Sequence, residues 1–317
     1  MNILKENYKI IKILNTKTKF NIKKNIEILG LSRQTFYHKF RELKAQKIIS
    51  NFTININPNI HPNNLKYIMI PIKTNPTEPE LVNQLIDIPQ LKMLDGIFGE
   101  YSLFALFVFQ TSVEYYEILN TIDNIMAQSY FKKYHIIEII KVFKTNGIEL
   151  EGLDLASTLE IDELDGKILK ILENNQADKP ISTYEIKEIL EKKEKENISQ
   201  STVHNRIKRL EKEGIILNHN INFDPKKIGF KGKYLLRIKP KDPSRYNDLA
   251  LKLVKNPNIT DLYRIGEEYG LFAIVRVKKI EDYRDFISNL YITNEIEDTI
   301  TNFVLDELKS YTNFIIS

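Results

Sequence analysis

One segment of the chain occurs twice, and this duplication constrains the fold more than any other feature of the sequence. In its second occurrence, residues 198–216, Ser199 is suited to cap the start of a helix and Gly214 to end it. Three apolar residues spaced i, i+4 and i+7 lie on one face of that helix: Val203, Ile207 and Leu210. The same pattern stands 167 residues earlier, in residues 31–49. The matched residues of the first occurrence are Ser32, Thr35, Leu43, Ile48, Ile49, Asn51, Ile54, Asn55 and Pro58. Their counterparts in the second occurrence are, in the same order, Ser199, Thr202, Leu210, Ile215, Ile216, Asn218, Ile221, Asn222 and Pro225. The sequence therefore predicts the same structural unit twice.

Each occurrence is preceded by two short helical patterns and followed by an extended segment. In the first half, residues 4–14 and 20–29 have near-helical apolar spacing, Gly30 relieves the backbone of the turn, and residues 48–57 alternate as a strand. This order predicts a winged helix-turn-helix. In the second half, residues 191–198 lengthen the turn before the recognition helix, which we interpret as an extension of the preceding helix.

Behind each helix-turn-helix the pattern changes to strands and helices in the order βαββαβ. That order predicts a ferredoxin-like domain, in which both helices cover one face of an antiparallel sheet. The run Leu103 to Phe109 is apolar on both alternating faces, so we expect helices on one side of its sheet and another sheet or chain on the other. Pro71 predicts that its strand lies at an edge or bulges. The predicted fold class is α+β, with two winged helix-turn-helix domains alternating with two ferredoxin-like domains.

Pattern changes along the chain give the predicted domain boundaries. The first helix-turn-helix takes residues 1–62, and the first ferredoxin-like domain takes residues 63–146. A linker of mixed polarity, residues 147–160, joins the two halves. The second helix-turn-helix and the second ferredoxin-like domain take residues 161–230 and 231–317.

Charge is unevenly distributed between the two helix-turn-helix copies. Residues 1–57 contain 12 Lys and Arg against 3 Asp and Glu, whereas residues 160–226 contain 12 against 14, although the whole chain has a net charge of only +4. A surface that binds phosphates requires an excess of basic side chains. The first copy is therefore predicted to supply most of the attraction for nucleic acid.

Composition disfavours several other classes of protein. The chain has no cysteine, which removes disulfides, thiol nucleophiles and zinc fingers. Its 5 histidines are scattered without a His-Glu-x-x-His helix, so we expect no metal site and no cofactor. No apolar run approaches the roughly 18 residues of a membrane span, and the N-terminal residues lack the apolar region of a signal peptide. These features predict a cytoplasmic protein without a membrane partner.

Several segments resemble the Lrp/AsnC family of transcriptional regulators. In the second half they are Leu164 to Leu169 (LDGKIL), Ile207 to Ile216 (IKRLEKEGII), Asp224 to Gly229 (DPKKIG) and Phe303 to Lys309 (FVLDELK). In the first half they are Leu29 to Ser32, Ile48, Ile49, Pro58 and Gly99 to Tyr101. The resemblance implies a winged helix-turn-helix joined to a ferredoxin-like effector domain, and assembly as dimers or higher oligomers. It also implies a DNA-binding regulator, often responsive to amino acids, rather than an enzyme.

The outward faces of the two recognition helices carry the predicted contacts with double-stranded DNA. Arg and Gln read base edges in the major groove, whereas Lys mainly meets phosphates. In the first copy the predicted contacts are Arg33, Gln34, Tyr37, His38, Lys39, Arg41 and Lys44. In the second copy they are Gln200, Ser201, His204, Asn205 and Lys208. Because the two faces differ at almost every outward position, we expect the chain to prefer an asymmetric site.

The duplication also changes what the family's dimer implies for this chain. We expect the two ferredoxin-like domains to pair within one chain and to bury the apolar back of Leu103 to Phe109. One polypeptide would then act as an intrachain pseudo-dimer. Such pseudo-dimers are expected to associate further as homo-oligomers.

The turns between the second and third strands of the ferredoxin-like domains are candidate effector sites, because effector binding in relatives involves this turn. Its residues are Gly99, Glu100, Tyr101 and Ser102 in the first half, and Gly266, Glu267, Glu268 and Tyr269 in the second. Relatives commonly have Gly-x-Tyr-Asp there, and both turns of this chain lack the aspartate. The glycines permit a tight backbone, and the glutamates favour a ligand with an amino group. The alternative is a pair of plain hairpin turns.

Two other functions stay open. Siroheme decarboxylases resemble this family and are built from two related halves, and such an enzyme needs basic and histidine side chains around an acidic tetrapyrrole. His135 and Arg276 are the nearest candidates. A module for binding or assembly that has lost contact with DNA is favoured if the charge balance of the second copy represents the whole molecule. The basic excess of the first copy favours the regulator.

Overall fold

A computed structural model describes most of the chain. The described residues are 2–15, 22–59, 65–75, 77–150, 161–175, 179–194, 197–309 and 312–316. None of the helices in this part of the chain is long and apolar enough to cross a membrane. The contacts divide the chain into two units. The helix-turn-helix unit comprises residues 1–62, 152–229 and 311–317, and the sheet unit comprises residues 63–151 and 230–310.

The order of elements repeats between the two halves. The first half contains α1 (Asn2–Leu14), α2 (Ile22–Leu29), α3 (Arg33–Ala45), β1 (Ile49–Ile56), β2 (Lys66–Lys73), α4 (Pro79–Ile86), β3 (Leu91–Ile97), β4 (Leu103–Phe109), α5 (Ser112–Gln128), β5 (Lys133–Tyr134), β6 (Ile137–Thr145) and β7 (Ile148–Glu149). The second half contains α6 (Glu163–Glu173), α7 (Thr183–Glu194), α8 (Gln200–Lys212), β8 (Ile216–Phe223), β9 (Gly232–Pro240), α9 (Tyr246–Leu253), β10 (Ile259–Ile265), β11 (Leu271–Val277), α10 (Glu281–Ile292) and β12 (Ile296–Glu307). The α+β fold class, with two winged helix-turn-helix copies and two ferredoxin-like repeats, is confirmed.

The helix-turn-helix unit joins its two copies through a shared sheet. Strand β1 of the first copy pairs antiparallel with β8 of the second, and the register places Phe52 opposite Ile221 and Asn55 opposite Asn218. Helix α7 continues to Glu194, as the extension hypothesis requires. Residues 20 and 21, the predicted start of the second helix, lie outside the described residues.

In the sheet unit, the fourth strand of each ferredoxin-like repeat pairs with the other repeat. The first repeat has the order β6-β2-β4-β3 and the second has β12-β9-β11-β10; β3 then pairs with β12, and β10 with β6. The order therefore closes on itself as a ring of these eight strands. Closure removes free sheet edges, which would otherwise recruit other strands. The two repeats thus pair within one chain.

The apolar run of β4 packs on both of its faces, as the sequence predicts. Its residues Leu103, Ala105 and Phe107 pack in one cluster with residues of helices α4 and α5. The alternate residue Phe104 stacks on Phe272 of β11, with 5.2 Å between ring centroids. The second repeat repeats this arrangement, since residues of α9 and α10 pack against alternate residues of β11.

The structure corrects the expectation that the strand of Pro71 lies at an edge of its sheet. Strand β2 pairs on both sides, with β4 and with the β5–β6 segment, so the predicted edge position is wrong. The irregularity is present in the partner instead, because β5 ends at Tyr134 and β6 begins at Ile137. The gap falls opposite Pro71, whose carbonyl accepts the N–H of His135 at 3.1 Å. Proline has no N–H to offer there, and the neighbouring strand breaks at that point.

The start of the predicted linker is a hairpin. Strands β6 and β7 pair at Thr145 and Ile148, and the two residues between them, Asn146 and Gly147, both have positive φ angles of 48° and 75°. Asn-Gly suits a two-residue turn with this conformation. Residues 147–149 of the predicted linker therefore belong to a hairpin, and residues 151–160 lie outside the described residues.

The two junctions that close the ring differ in chemistry. At the β3–β12 junction, buried Lys233 bonds Asp95 at 2.9 Å, and Arg276 bonds both oxygens of Glu307 at 2.9 and 2.6 Å. Burial by itself would raise the pKa of Glu307, but Arg276 and Lys233 together hold that pKa below its ordinary value. At the β6–β10 junction, buried Lys144 donates to the carbonyl of Val254 at 2.7 Å, just beyond helix α9. A cation is favourable at that end of a helix.

Candidate nucleic-acid interface and effector turns

Aromatic side chains hold the inward face of helix α3 in the core of the helix-turn-helix unit. Ser32 caps its start by accepting the N–H of Thr35 at 3.1 Å. Phe36 and Phe40 are fully buried, and Phe40 stacks on Phe52 of β1 with 4.7 Å between centroids and nearly parallel rings. The inward face of α3 is therefore apolar, and the polar residues of the helix lie on its other side.

All seven predicted DNA-contacting residues of the first copy lie on α3. The exposed members are Arg33, Gln34, His38 and Arg41, and the half-buried members are Tyr37, Lys39 and Lys44. Their contacts with one another are local: the Arg33 guanidinium lies 5.8 Å from the Tyr37 ring, and Arg41 donates to the Tyr37 carbonyl at 3.4 Å. His38 lies 3.6 Å from Glu42. The arrangement leaves two arginines at the surface of a capped helix.

Helix α8 has the same cap and the same inward face, but a less basic outward face. Ser199 accepts the N–H of Thr202 at 3.1 Å, and Val203 and Leu210 are buried. The predicted contacts of this copy are all exposed: Gln200, Ser201, His204, Asn205 and Lys208. Gln200 also donates to the Thr183 hydroxyl at 3.1 Å.

Sequence reasoning missed the residues that hold α8 in place. Asp165 of α6 is fully buried and accepts from Arg206 at 2.9 Å and from Arg209, both on α8. Asp162 caps α6 and bonds the same Arg206 at 2.6 Å. Burial would raise the pKa of Asp162, but the bond from Arg206 is the main influence that keeps it below the ordinary value. The pattern Asp-x-x-Asp before an apolar run is a sequence signal for the capping box of Asp162 and Asp165. The arginines that bond these two aspartates are distant in the chain, so no local pattern indicates them.

Asparagines at duplicated positions bond each other across the shared sheet. Asn55 donates to Asn218 at 2.8 Å, and Asn222 donates to Asn51 at 3.1 Å. Three of these side chains are buried, and Asn222 is partly buried. A buried amide needs a partner, because an unpaired one costs about 1–3 kcal/mol. The repeated asparagines therefore fix the register between the two copies.

The first candidate effector turn, Gly99 to Ser102, has a tight backbone, and the carboxylate of its Glu100 is already paired with a lysine. Gly99 has φ +145°, and a side-chain carbon there would approach Asn302 to 3.2 Å. Ser102 accepts the N–H of Thr74 at 2.7 Å. Glu100 bonds Lys133 at 2.7 Å, which lowers the pKa of Glu100.

The second effector turn is neutralised by different residues. Glu267 bonds His135 at 2.8 Å and lies 3.5 Å from Arg237, and Glu268 bonds Lys239 at 3.0 Å. Tyr269 donates to Asp298, and the hydroxyl of Tyr246 accepts the N–H of Gly270 at 3.2 Å. A ligand ammonium at either turn would have to replace a cation of the protein. A ligand with an amino group would therefore compete with that cation for the glutamate of the turn.

The two side chains considered for tetrapyrrole chemistry are not brought together. Arg276 is buried in its bidentate bond with Glu307, and half-exposed His135 bonds Glu267 at the second effector turn. Within the described residues, no group of three or more His, Asp or Glu side chains has the arrangement of a metal site.

Two family models match the second half of the chain. The model of the Lrp/AsnC ligand binding domain matches residues 234–314, and a model of winged helix-turn-helix DNA-binding matches residues 194–216. These stretches correspond to the second ferredoxin-like repeat and to helix α8 with its cap.

Curated proteins of similar sequence are named as regulators. The chain is 31% identical over 152 residues to the HTH-type transcriptional regulator FL11 of Pyrococcus furiosus, an alignment that covers 48% of this chain and 94% of the relative. It is 33% identical over 128 residues to the HTH-type transcriptional regulator Ptr1 of Methanocaldococcus jannaschii, covering 40% of this chain and 80% of that protein. About one half of this chain thus corresponds to nearly a whole relative.

A solved structure resembles the chain over both halves. The siroheme decarboxylase NirDL has a TM-score of 0.61 to this chain at 12% sequence identity, and the match covers 96% of this chain and 92% of that one. At this identity the likeness concerns the fold alone.

Proposed function

The chain belongs to the Lrp/AsnC family, and on that premise we propose that it is a sequence-specific DNA-binding transcriptional regulator in which one polypeptide takes the place of the family dimer. The observation that carries this proposal is the shared sheet of the helix-turn-helix unit. Strands β1 and β8 follow the two recognition helices and pair with each other, so α3 and α8 are held in one body. The closed strand ring joins the two ferredoxin-like repeats in the same way.

The two recognition helices are proposed to contribute unequally. Arg33 and Arg41 are exposed on α3, whereas Arg206 and Arg209 of α8 bond buried or capping carboxylates. The first copy therefore supplies base readout and most of the phosphate attraction, and the second orients the complex. A reader of this kind favours an asymmetric site over a palindrome.

Affinity measurements on α3 test the regulator directly. Replacing Arg33 and Arg41 by Ala should weaken binding by about 1–3 kcal/mol for each residue that makes a bidentate base contact. Gel-shift titration at fixed salt, against a DNA fragment recovered by genome-wide mapping of bound sites, measures the loss. Lys208→Ala on α8 is the matched control, with a smaller expected effect. Equal affinity of the wild-type chain and the double α3 variant would refute the role of α3.

We also propose that the two effector turns line small-molecule sites. Support comes from the tight backbone at Gly99, whose φ is +145°, and from the ion pairs of Glu100 and Glu267, which a ligand with an amino group would exchange for its own. A thermal-shift assay against a panel of amino acids tests the idea, since a ligand that binds the folded state raises the melting temperature. Absence of stabilisation by every member of the panel would leave only hairpin turns.

A tetrapyrrole enzyme is the second candidate, and the fold likeness over 96% of the chain is the observation that favours it. Against it, Arg276 is buried and engaged by Glu307, so it does not face a ligand together with His135. Ultraviolet-visible absorption of the purified protein separates the two functions. A bound tetrapyrrole would favour the enzyme, whereas retention on DNA at moderate salt favours the regulator. A purified protein that neither contains a tetrapyrrole nor binds DNA would favour the module for binding or assembly.

A further inference from the structure

A cluster of aromatic and basic side chains surrounds the loop between α5 and β5 and adjoins the turn at Gly99–Ser102. We call it the aromatic–lysine patch, and its members are Lys73, Tyr101, Tyr130, Phe131, Lys132 and Lys133. Tyr130 is 75% exposed and Phe131 is 43% exposed. The two rings meet edge to face, with 5.0 Å between centroids.

The lysines of the patch lie beside its rings. The Lys73 ammonium is 5.5 Å from the Phe131 centroid, and the Lys133 ammonium is 5.4 Å from the Tyr101 centroid. Lys73 and Lys133 are also direct partners in the β2–β5 register. Two like charges facing each other across strands are unfavourable; Glu100 bonds Lys133 and also interacts with the charge of Lys73, so one carboxylate is shared between these two lysines. The arrangement attracts an anion to a place where flat rings are exposed.

The loop is anchored rather than loosely attached. Glu78 accepts the N–H of Tyr130 at 2.7 Å and the N–H of Asn75 at 2.8 Å. These backbone bonds lower the pKa of Glu78, so its carboxylate stays charged and bonded at neutral pH. The backbone that carries Tyr130 is therefore held at a defined position.

Comparison with the second repeat shows that the patch is not required by the fold. In that repeat the residue with positive φ before the last strand is Asn294 (φ 56°), two positions before Ile296, whereas in the first repeat it is Lys132 (φ 47°), directly before Lys133. Asparagine adopts this left-handed conformation more readily than lysine does. The strand pair that corresponds to Lys73 and Lys133 is Pro240 and Ile296, which carry no charge. The first repeat thus accepts backbone strain, like-charge repulsion and exposed rings in one loop, a combination expected where function rather than stability selects the residues.

We propose that the aromatic–lysine patch binds an unpaired nucleotide, with the base stacked on Tyr130 or Phe131 and the phosphate at Lys73, Lys132 and Lys133. Stacking on aromatic rings combined with a basic surface is how proteins hold single-stranded nucleic acid. An acidic peptide would satisfy the lysines but leave the rings without a planar partner, so the nucleotide is favoured. The site is distinct from the recognition helices, and it does not depend on their role.

Fluorescence anisotropy with a labelled twelve-nucleotide thymidine strand tests the proposal on the full chain. The Tyr130→Ala, Phe131→Ala double variant should bind at least about 5-fold more weakly, since one base–aromatic stack accounts for about 5- to 150-fold in affinity. Ile292→Ala, which removes a 77% exposed side chain at the end of helix α10 in the second repeat, is the matched control and should not change binding. Lys132→Asn should also weaken binding while raising thermal stability, because asparagine relieves the strained backbone. Unchanged affinity in the double variant would overturn the proposal.

Three further measurements locate the site and identify the source of the nucleotide. Photocrosslinking of a strand containing 5-bromodeoxyuridine should attach to Tyr130 or Phe131, as read by peptide mass, and crosslinks confined to α3 and α8 would overturn the site. Competition by thymidine monophosphate as strong as that by the strand would support a free nucleotide as the source. Competition by poly-glutamate as strong as that by the strand would instead mean an acidic protein and would overturn the nucleotide. Retention of duplex DNA by the double variant distinguishes this site from the proposed regulator.

Discussion

Helix α3 packs against aromatic rings, whereas helix α8 also forms hydrogen bonds to carboxylates of helix α6 and its cap. In the first copy, the buried residues of α3 are Phe36, Phe40 and Leu43, and Phe40 stacks on Phe52. In the second copy, buried Asp165 receives Arg206 and Arg209 from α8. Both helices therefore bury an apolar face, and α8 adds charge-assisted hydrogen bonds from Arg206 and Arg209, which stand at the positions of Lys39 and Glu42 in α3.

This difference determines which charges face solvent. The two arginines of α3 lie at the surface, but two arginines of α8 are committed to α6. Residues 160–226 have as many basic residues as residues 1–57, yet some of those in the second copy form ion pairs with carboxylates of α6 and its cap. The number of basic residues alone therefore does not show how unequal the two recognition surfaces are. Copies of one ancestral unit can divide structural and recognition roles in this way.

The largest expected effect comes from Asp165. Asp165→Asn leaves Arg206 and Arg209 without their buried carboxylate, and breaking such a pair costs about 3–5 kcal/mol. We expect about 3 kcal/mol, at the low end of that range, because both arginine side chains reach solvent in part, with 26% and 40% exposure. Urea denaturation followed by circular dichroism measures the loss.

Glu42→Gln on α3 is the control for that experiment. Glu42 is exposed, and its bond partner His38 is exposed as well, so the change should stay within about 0.5 kcal/mol. Equal destabilisation by the two substitutions would mean that the copies are held by the same chemistry, contrary to the comparison.

A second experiment compares the copies through the salt dependence of DNA binding. Replacing Lys39 and Lys44 by Ala on α3 should reduce the slope of log affinity against log salt by about 2, since each phosphate contact contributes about 0.9. Replacing Lys208 and Lys212 by Ala on α8 should change the slope by less. A larger reduction from the α8 pair would reverse the assignment of the main phosphate-binding surface.

The smallest expected effect is pH dependence that belongs to the second copy. Bonds from the backbone and hydroxyl of Ser182, with Lys179 nearby, lower the pKa of Glu185 from 4.5 to about 2. A depressed folded pKa gives stability that is present above pH 4.5 and lost as the pH falls toward 2. The contribution should be about 1 kcal/mol, the size of a helix cap, because a 35% exposed carboxylate is partly screened.

Glu185→Gln isolates this contribution, because glutamine keeps hydrogen-bonding capacity but does not titrate in this range. Urea midpoints of the wild-type chain and the variant should differ at pH 7 and converge near pH 2. A constant difference across that range would show that the carboxylate charge is not responsible.

The sequence predicted the fold well because its signals are local and doubled. Caps at Ser32 and Ser199, apolar periodicity, and the matched glycines at 99 and 266 located the two helices α3 and α8 and the turns between the second and third strands of each repeat. The exposure of the outward residues on α3 and α8 follows from the same periodicity. Whether those residues contact DNA stays a prediction.

Features that depend on distant partners were not predictable in the same way. The bonds between Asp165 and the α8 arginines join residues about forty positions apart, and no periodicity reports them. The closed order of strands depends on pairing between repeats, which the βαββαβ pattern leaves open. By contrast, the Asn146-Gly147 turn was a recognisable hairpin signal that the linker interpretation passed over.

Footprinting of the intact chain on its bound DNA, combined with the stoichiometry of the complex, tests the central claim most directly. If one polypeptide replaces the family dimer, one chain should protect one asymmetric site, and Arg33→Ala with Arg41→Ala should weaken protection mainly in the half read by α3. The contrary result is a perfect palindrome bound by two chains, each using only α3. In that case the second copy would be an assembly domain, and the intrachain pseudo-dimer would be wrong.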